Sequence, residues 1–137
     1  MSERGRVEHL NPEQLPRNPA YTNVVAVGGP AKTVYVGGQN AVTASGEIVG
    51  KGDIAAQSEQ IYRNIVVALA AAGAELEHLI KLNIYIVEGQ PLQPGFEAWQ
   101  RVWGGRPNPP VITGVFVSAL AHPDFLAELD AVAVVPG

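Results

Sequence analysis

The chain has 137 residues and a mass of 14.5 kDa, which fits one domain spanning 1–137, large enough to bury a core and too small for a second. Hydrophobic residues make up 47% and charged residues 16%, which excludes a disordered chain and leaves more apolar surface than a small monomer easily hides. A formal charge of −4, a pI near 5.3 and no Lys/Arg run argue against a nucleic-acid partner, and the lack of cysteine rules out thiol nucleophiles, thiolate metal sites and disulfides and suits a cytoplasmic protein.

Residues 1–20 are polar and Pro-bearing, without the apolar stretch of a signal peptide. They read as an extended lead-in that delivers Tyr21 to the rim of the fold. TVYVGGQ, 33–39, alternates like a strand and stops at two glycines; ASGEIVGKG, 44–52, has the glycine spacing of a tight hairpin around Ser45 and Gly46. From Asp53 the period changes. Ile54, Ser58, Ile61, Ile65, Ala68, Leu69 and Ala72 recur at three and four residues, with Asp53 as N-cap and Gly73 as the stop. The longest apolar run, IVVALAAAGA, lies in this helix and is far short of the ~20 residues of a membrane span, so no membrane partner is expected. KLNIYIV, 81–87, returns to alternation, with Leu82, Ile84 and Ile86 on one side. Pro94 suits a first helical turn, and Phe96, Trp99, Val102 and Trp103 form an apolar stripe ending at Gly104–Gly105. After RPNPP, VITGVFVSAL (111–120) and FLAELDAVAVV (125–135) close the chain as two strands. The expected order is β, β, α, β, α, β, β.

Two helices in crossover connections cover one face of such a sheet. The strand at 111–117 is apolar on both sides, so the second face needs a cover, and another copy of the chain is the expected one. In FLAELDAVAVV, strand alternation puts Ala127, Leu129, Ala131 and Ala133 on one face and Glu128 and Asp130 on the other. The alanines let a helix lie close, which leaves the acids on the subunit-facing side. About 6.5–7 Å apart along a strand, two carboxylates at a partly desolvated interface suit general acid/base chemistry, and equally suit an ion pair or a wet strand end. Gly37 and Gly38 allow either a β-bulge or close approach of backbone N–H groups to a ligand oxygen. His9, His78 and His122 are scattered without ligand spacing, so neither a metal nor any other cofactor is expected. No Gly-x-Ser-x-Gly elbow exists.

NPAYTN, TVYVGGQ, AAGAELEHLIKLNIYIV and VFVSALAHPDFLAELDAVAV follow one another in an order that resembles the RidA/YjgF family of reactive-intermediate deaminases, also called the endoribonuclease L-PSP family. The resemblance spans Tyr21 to Val135. It implies a chorismate-mutase-like α+β fold with two helices on one face of a sheet, a cytoplasmic homotrimer, and small-molecule clefts between subunits that hold an enamine or imine. Glu128 matches the family's water-positioning glutamate, which makes it the candidate catalytic residue. Tyr21 matches the aromatic at the cleft mouth, and Gly38 with Gln39 matches the Ser-Gly-Gln turn, its Ser being Gly37 here. Gly114 stands where the family has a small thiol or polar residue, and Gly38 and Gly114 are candidate backbone donors to the substrate.

The family's Pro-Ala-Arg-Ser/Thr signature is Pro110, Val111, Ile112 and Thr113 here, so Ile112 replaces the carboxylate-binding arginine. Phe96 stands where the family offers an asparagine. An isoleucine cannot make the bidentate charge-assisted pair that recognises a carboxylate. The sequence therefore supports three functions: an imine or enamine hydrolase releasing ammonia, a non-catalytic metabolite-binding or regulatory trimer for a less polar ligand, and, against the charge balance, a ribonuclease or translation inhibitor.

Overall fold

The computed structural model describes residues 4–137; the first three residues of the lead-in lie outside the described residues. Nine-residue strands β3 (Ala31–Gln39) and β4 (Leu79–Val87) combine with β5 (Val111–Val117) and β6 (Ala127–Pro136) in a mixed sheet of order β3-β6-β4-β5. β6 is antiparallel to both its neighbours, and β5 runs parallel to β4. A parallel neighbour needs a crossover, which α2 (Gln93–Trp103) supplies; α1 (Ile54–Ala71) spans the earlier connection.

Both helices start and stop where their sequences dictate. The Asp53 carboxylate accepts the N–H groups of Ala55 and Ala56 at 3.1 and 3.2 Å, and Gly73 (φ 73°) follows the C-cap Ala72 in the left-handed region. A proline sits in the first turn of α2, and Gly104 (φ 63°) caps its end. Ile61, Ile65 and Leu69 of α1 are fully buried and meet Val34 and Val36 of β3, Leu82 and Ile86 of β4, and Ala127, Leu129, Ala131 and Ala133 of β6 in one core. The alanines lie on the helix side, and α1 packs across β3 and β6. Gln57, fully buried, ties the helix to the sheet: its amide donates to the carbonyls of Gly50 and Asp124 and accepts from Leu126 N–H.

The chain departs from the expected order in two places. The stretch 44–52 makes the expected tight turn around Ser45 and Gly46, closed by the antiparallel bridge of Val42 to Ile48, but it forms no strand. Asn64 holds this loop by donating to Asn40 and Val42 carbonyls, so it is shaped by α1 rather than by strand pairing. In the lead-in, β1 (Arg6–Leu10) forms and pairs antiparallel with β2 (Val24–Gly28), which follows the lead-in; both strands are absent from the expected order. Each is five residues long and turns few apolar side chains inward, too little for the alternation to stand out. The ribbon is secured from outside, by Gly5 N–H to the Gly137 carbonyl and Gly137 N–H to the Pro30 carbonyl.

Candidate functional site

The face of the sheet opposite the helices carries the acids. Cross-strand register sets Glu128 beside Tyr85 and Asp130 beside Asn83. Asp130 accepts from Asn83 Nδ2 at 2.8 Å and from the Tyr85 hydroxyl at 3.1 Å. That hydrogen bond, then the Asp130 charge, then partial desolvation and the Glu128 charge, push the Tyr85 hydroxyl above its ordinary pKa. Tyr85 therefore remains a donor at neutral pH. Glu128 is different: it makes no hydrogen bond or ion pair with any described residue.

Gly38 lies directly against Glu128. The β3–β6 register shifts between Val36 and Gln39, a bulge at the two glycines. A Cβ at Gly38 would stand 2.5 Å from Glu128 Oε2 and 2.9 Å from its carboxyl carbon. Glycine is needed here so that the carboxylate can lie across the backbone. Gly37, by contrast, faces open space.

On the helix side, a cavity of about 320 Å³ opens between α2 and the β4–β5 edge. Tyr21, Phe96, Trp99, Ile112, Gly114 and Phe116 are among its lining residues. Two anchors fix Tyr21 at this place. Trp99 Nε1 donates to the Ala20 carbonyl at 3.1 Å, and Thr22 bonds to Pro109 through its hydroxyl and to the Pro110 carbonyl through its N–H. Trp99 in turn contacts Tyr62, ring centroids 5.7 Å apart, and stacks on Trp103 at 5.1 Å.

The four candidate residues thus separate into two pairs. Tyr21 and Gly114 share the helix-side cavity with Ile112 and Phe96; Glu128 and Gly38 touch one another on the opposite face. The register explains the division, because Gly114 is level with Ile84 on the helix side whereas Val115 is level with Tyr85 and Glu128 on the other. Asn83 and Tyr85 were missed from the sequence. Their signal was the polar half of KLNIYIV, which alternates with Leu82, Ile84 and Ile86.

The model of the family described as endoribonuclease L-PSP matches residues 13–135. The chain belongs to this family. It is 32% identical over 114 residues to a RutC family protein of Pyrococcus abyssi, covering 82% of this chain and 84% of that protein. Among solved structures, the Rid family protein YyfB of Yersinia pestis superposes with a TM-score of 0.81 at 30% identity, covering 94% of this chain and 98% of the other. TdcF of E. coli, solved with bound serine, is 25% identical with a TM-score of 0.67 over 74% of this chain and 80% of its own. The two-helix, mixed-sheet architecture is the fold of these L-PSP relatives. Among the described residues no helix is long and apolar enough to cross a membrane, and no group of three or more His, Asp or Glu side chains is placed to hold a metal ion.

Proposed function

We propose that this L-PSP family member handles a small molecule in a homotrimer, where the cavity of one chain meets the acidic face of the next, and that Glu128 adds water to an enamine or imine there. The observation carrying this reading is the contrast between the two acids. Asp130 is committed to Asn83 and Tyr85, whereas Glu128 keeps both carboxylate oxygens unengaged among the described residues and rests on Gly38. A free carboxylate beside exposed backbone suits a general base. An enamine is first protonated at carbon to its iminium. Glu128 then takes a proton from water as the water oxygen bonds to the iminium carbon and passes it to nitrogen; as the carbon–nitrogen bond breaks, the carboxylate accepts the hydroxyl proton and releases it to solvent, where it replaces the proton that the enamine carbon took up, leaving a carbonyl compound and ammonia.

A neighbouring copy is required because Tyr21 and Gly114 lie across the sheet from Glu128 within one chain. The exposed apolar groups Tyr35 (78%) and Val115 (43%), on the face without helices, supply the surface for it. The lack of cysteine fits a cytoplasmic setting.

Ammonia release from freshly generated enamines and imines that carry no carboxylate tests the chemistry: Glu128→Gln is expected to lose roughly 10²–10⁴-fold in rate. The assembly is tested by solution mass, expected at three chains. Equal rates in wild type and variant, or a monomer, would overturn the reading. One observation favours a second reading, a binding trimer without turnover: Ile112 stands in the cavity where the family resemblance leads one to look for an arginine. Its mark would be stabilising metabolites that are recovered unchanged.

A further inference from the structure

We propose that the cavity between α2 and the β4–β5 edge takes an uncharged, planar, mostly hydrocarbon ligand of one or two fused rings, and that Ile112 is the residue that turns carboxylates away. The inference rests on the reading of this region as a small-molecule site and names its ligand class.

Five aromatic residues, Tyr21, Tyr62, Phe96, Trp99 and Phe116, line this one cavity, out of two tryptophans, four tyrosines and three phenylalanines in the whole chain. No Asp, Glu, Lys, Arg or His lines it. Of the polar side chains that do, Ser58 is already spent, its hydroxyl donating to the Ile54 carbonyl at 2.7 Å. The hydroxyls of Tyr21 and Tyr62 have no hydrogen-bond partner among the described residues. Burial raises the Tyr62 pKa, so that hydroxyl stays a neutral phenol. The wall is therefore apolar, with two phenol hydroxyls as its free polar groups.

A carboxylate entering this space would lose its water and find no cation to replace it. A quaternary ammonium is also disfavoured. Such ligands need open ring faces, but Trp99 is in contact with Tyr62 at 5.7 Å and stacked on Trp103 at 5.1 Å, and no carboxylate of the same chain lines the cavity. Its volume of about 320 Å³ is at the small end for ligand pockets, which suits a ring system and not a dinucleotide. Ile112 lies beside Leu82 in register, at the inner edge of β5, where any longer charged side chain would point along the same wall.

Calorimetric titration of the full chain with indole, indole-3-carboxylate and phenyltrimethylammonium tests this. Wild type is expected to bind indole at least tenfold more tightly than either charged probe. Ile112→Arg is expected to reverse the order of indole and its carboxylate. Ile112→Phe, which adds volume without charge, is expected to weaken indole tenfold or more, and it carries the test if the arginine variant does not fold. Equal or tighter binding of a charged probe by wild type overturns the proposal. So does the absence of saturable indole binding, the result expected if a side chain of a neighbouring copy fills the cavity. A chain that hydrolyses carboxylate-free imines but ignores indole would sink this inference and leave the Glu128 reading standing; one that binds indole and hydrolyses nothing would do the reverse.

Discussion

On the helix side of the sheet, Leu82, Leu129, Ala131 and Ala133 are at most 2% exposed and meet α1 and α2 in a continuous core. One residue further along the same strands, on the other side, Asn83, Tyr85, Glu128 and Asp130 form a half-buried polar patch, with Tyr35 exposed nearby. The same backbone serves both, because strand alternation sends neighbours to opposite faces. The difference separates two tasks. The apolar face is closed against the helices, while the polar face holds one committed carboxylate, Asp130, and one, Glu128, without a hydrogen-bond or ion-pair partner among the described residues.

The sharpest way to break that comparison is to damage the helix side. Leu82→Ala removes a fully buried side chain from the middle of the core, and a cost of about 2–5 kcal/mol in unfolding free energy is expected from denaturant titration. A cost under about 1 kcal/mol would mean that the core does not carry the stability assigned to it. An intermediate effect is expected on the acidic side. Gly38→Ala places a Cβ 2.5 Å from Glu128 Oε2, so the carboxylate must swing away, at a cost of about 1–3 kcal/mol. In a Glu128→Ala background the obstacle is gone, and the same substitution should be nearly neutral. A double-mutant cycle reads this coupling directly; additive costs would show that Gly38 answers to something other than Glu128.

How much of this division was legible differs by level. The periods of α1, α2 and β3 to β6 were in the sequence, because each long element repeats a buried stripe several times: Ile61, Ile65 and Leu69, or Ala127, Leu129, Ala131 and Ala133. The face of the two acids followed from the same alternation. β1 and β2 were not legible, since a five-residue ribbon has little periodicity and depends on hydrogen bonds around Pro30 and Gly137. Nor was the pairing of Asp130 with Asn83 and Tyr85. That depends on β4–β6 register, which shifts between Leu79 and Lys81. The glycine pair allowed a bulge or a close approach to a ligand oxygen; the structure has the bulge, and at Gly38 it is the Glu128 side chain that lies close. The separation of Tyr21 and Gly114 from Glu128 needed the strand order, which no local pattern encodes.

The smallest effect sharpens the comparison by pH. The Tyr85 hydroxyl is raised above its ordinary value of 10.0, chiefly by its hydrogen bond to Asp130. A tyrosine with a raised folded pKa contributes stability that is fully present below pH 10 and is lost as pH rises from there through the folded value, because the unfolded chain gives up its proton first. Wild type should therefore lose stability above pH 10 more steeply than Tyr85→Phe, with a constant offset between the two around neutral pH. Urea midpoints across this range provide the measurement. Parallel slopes would mean that the Tyr85–Asp130 bond is not kept in solution, and the polar face would then lack the order that distinguishes a committed Asp130 from a free Glu128.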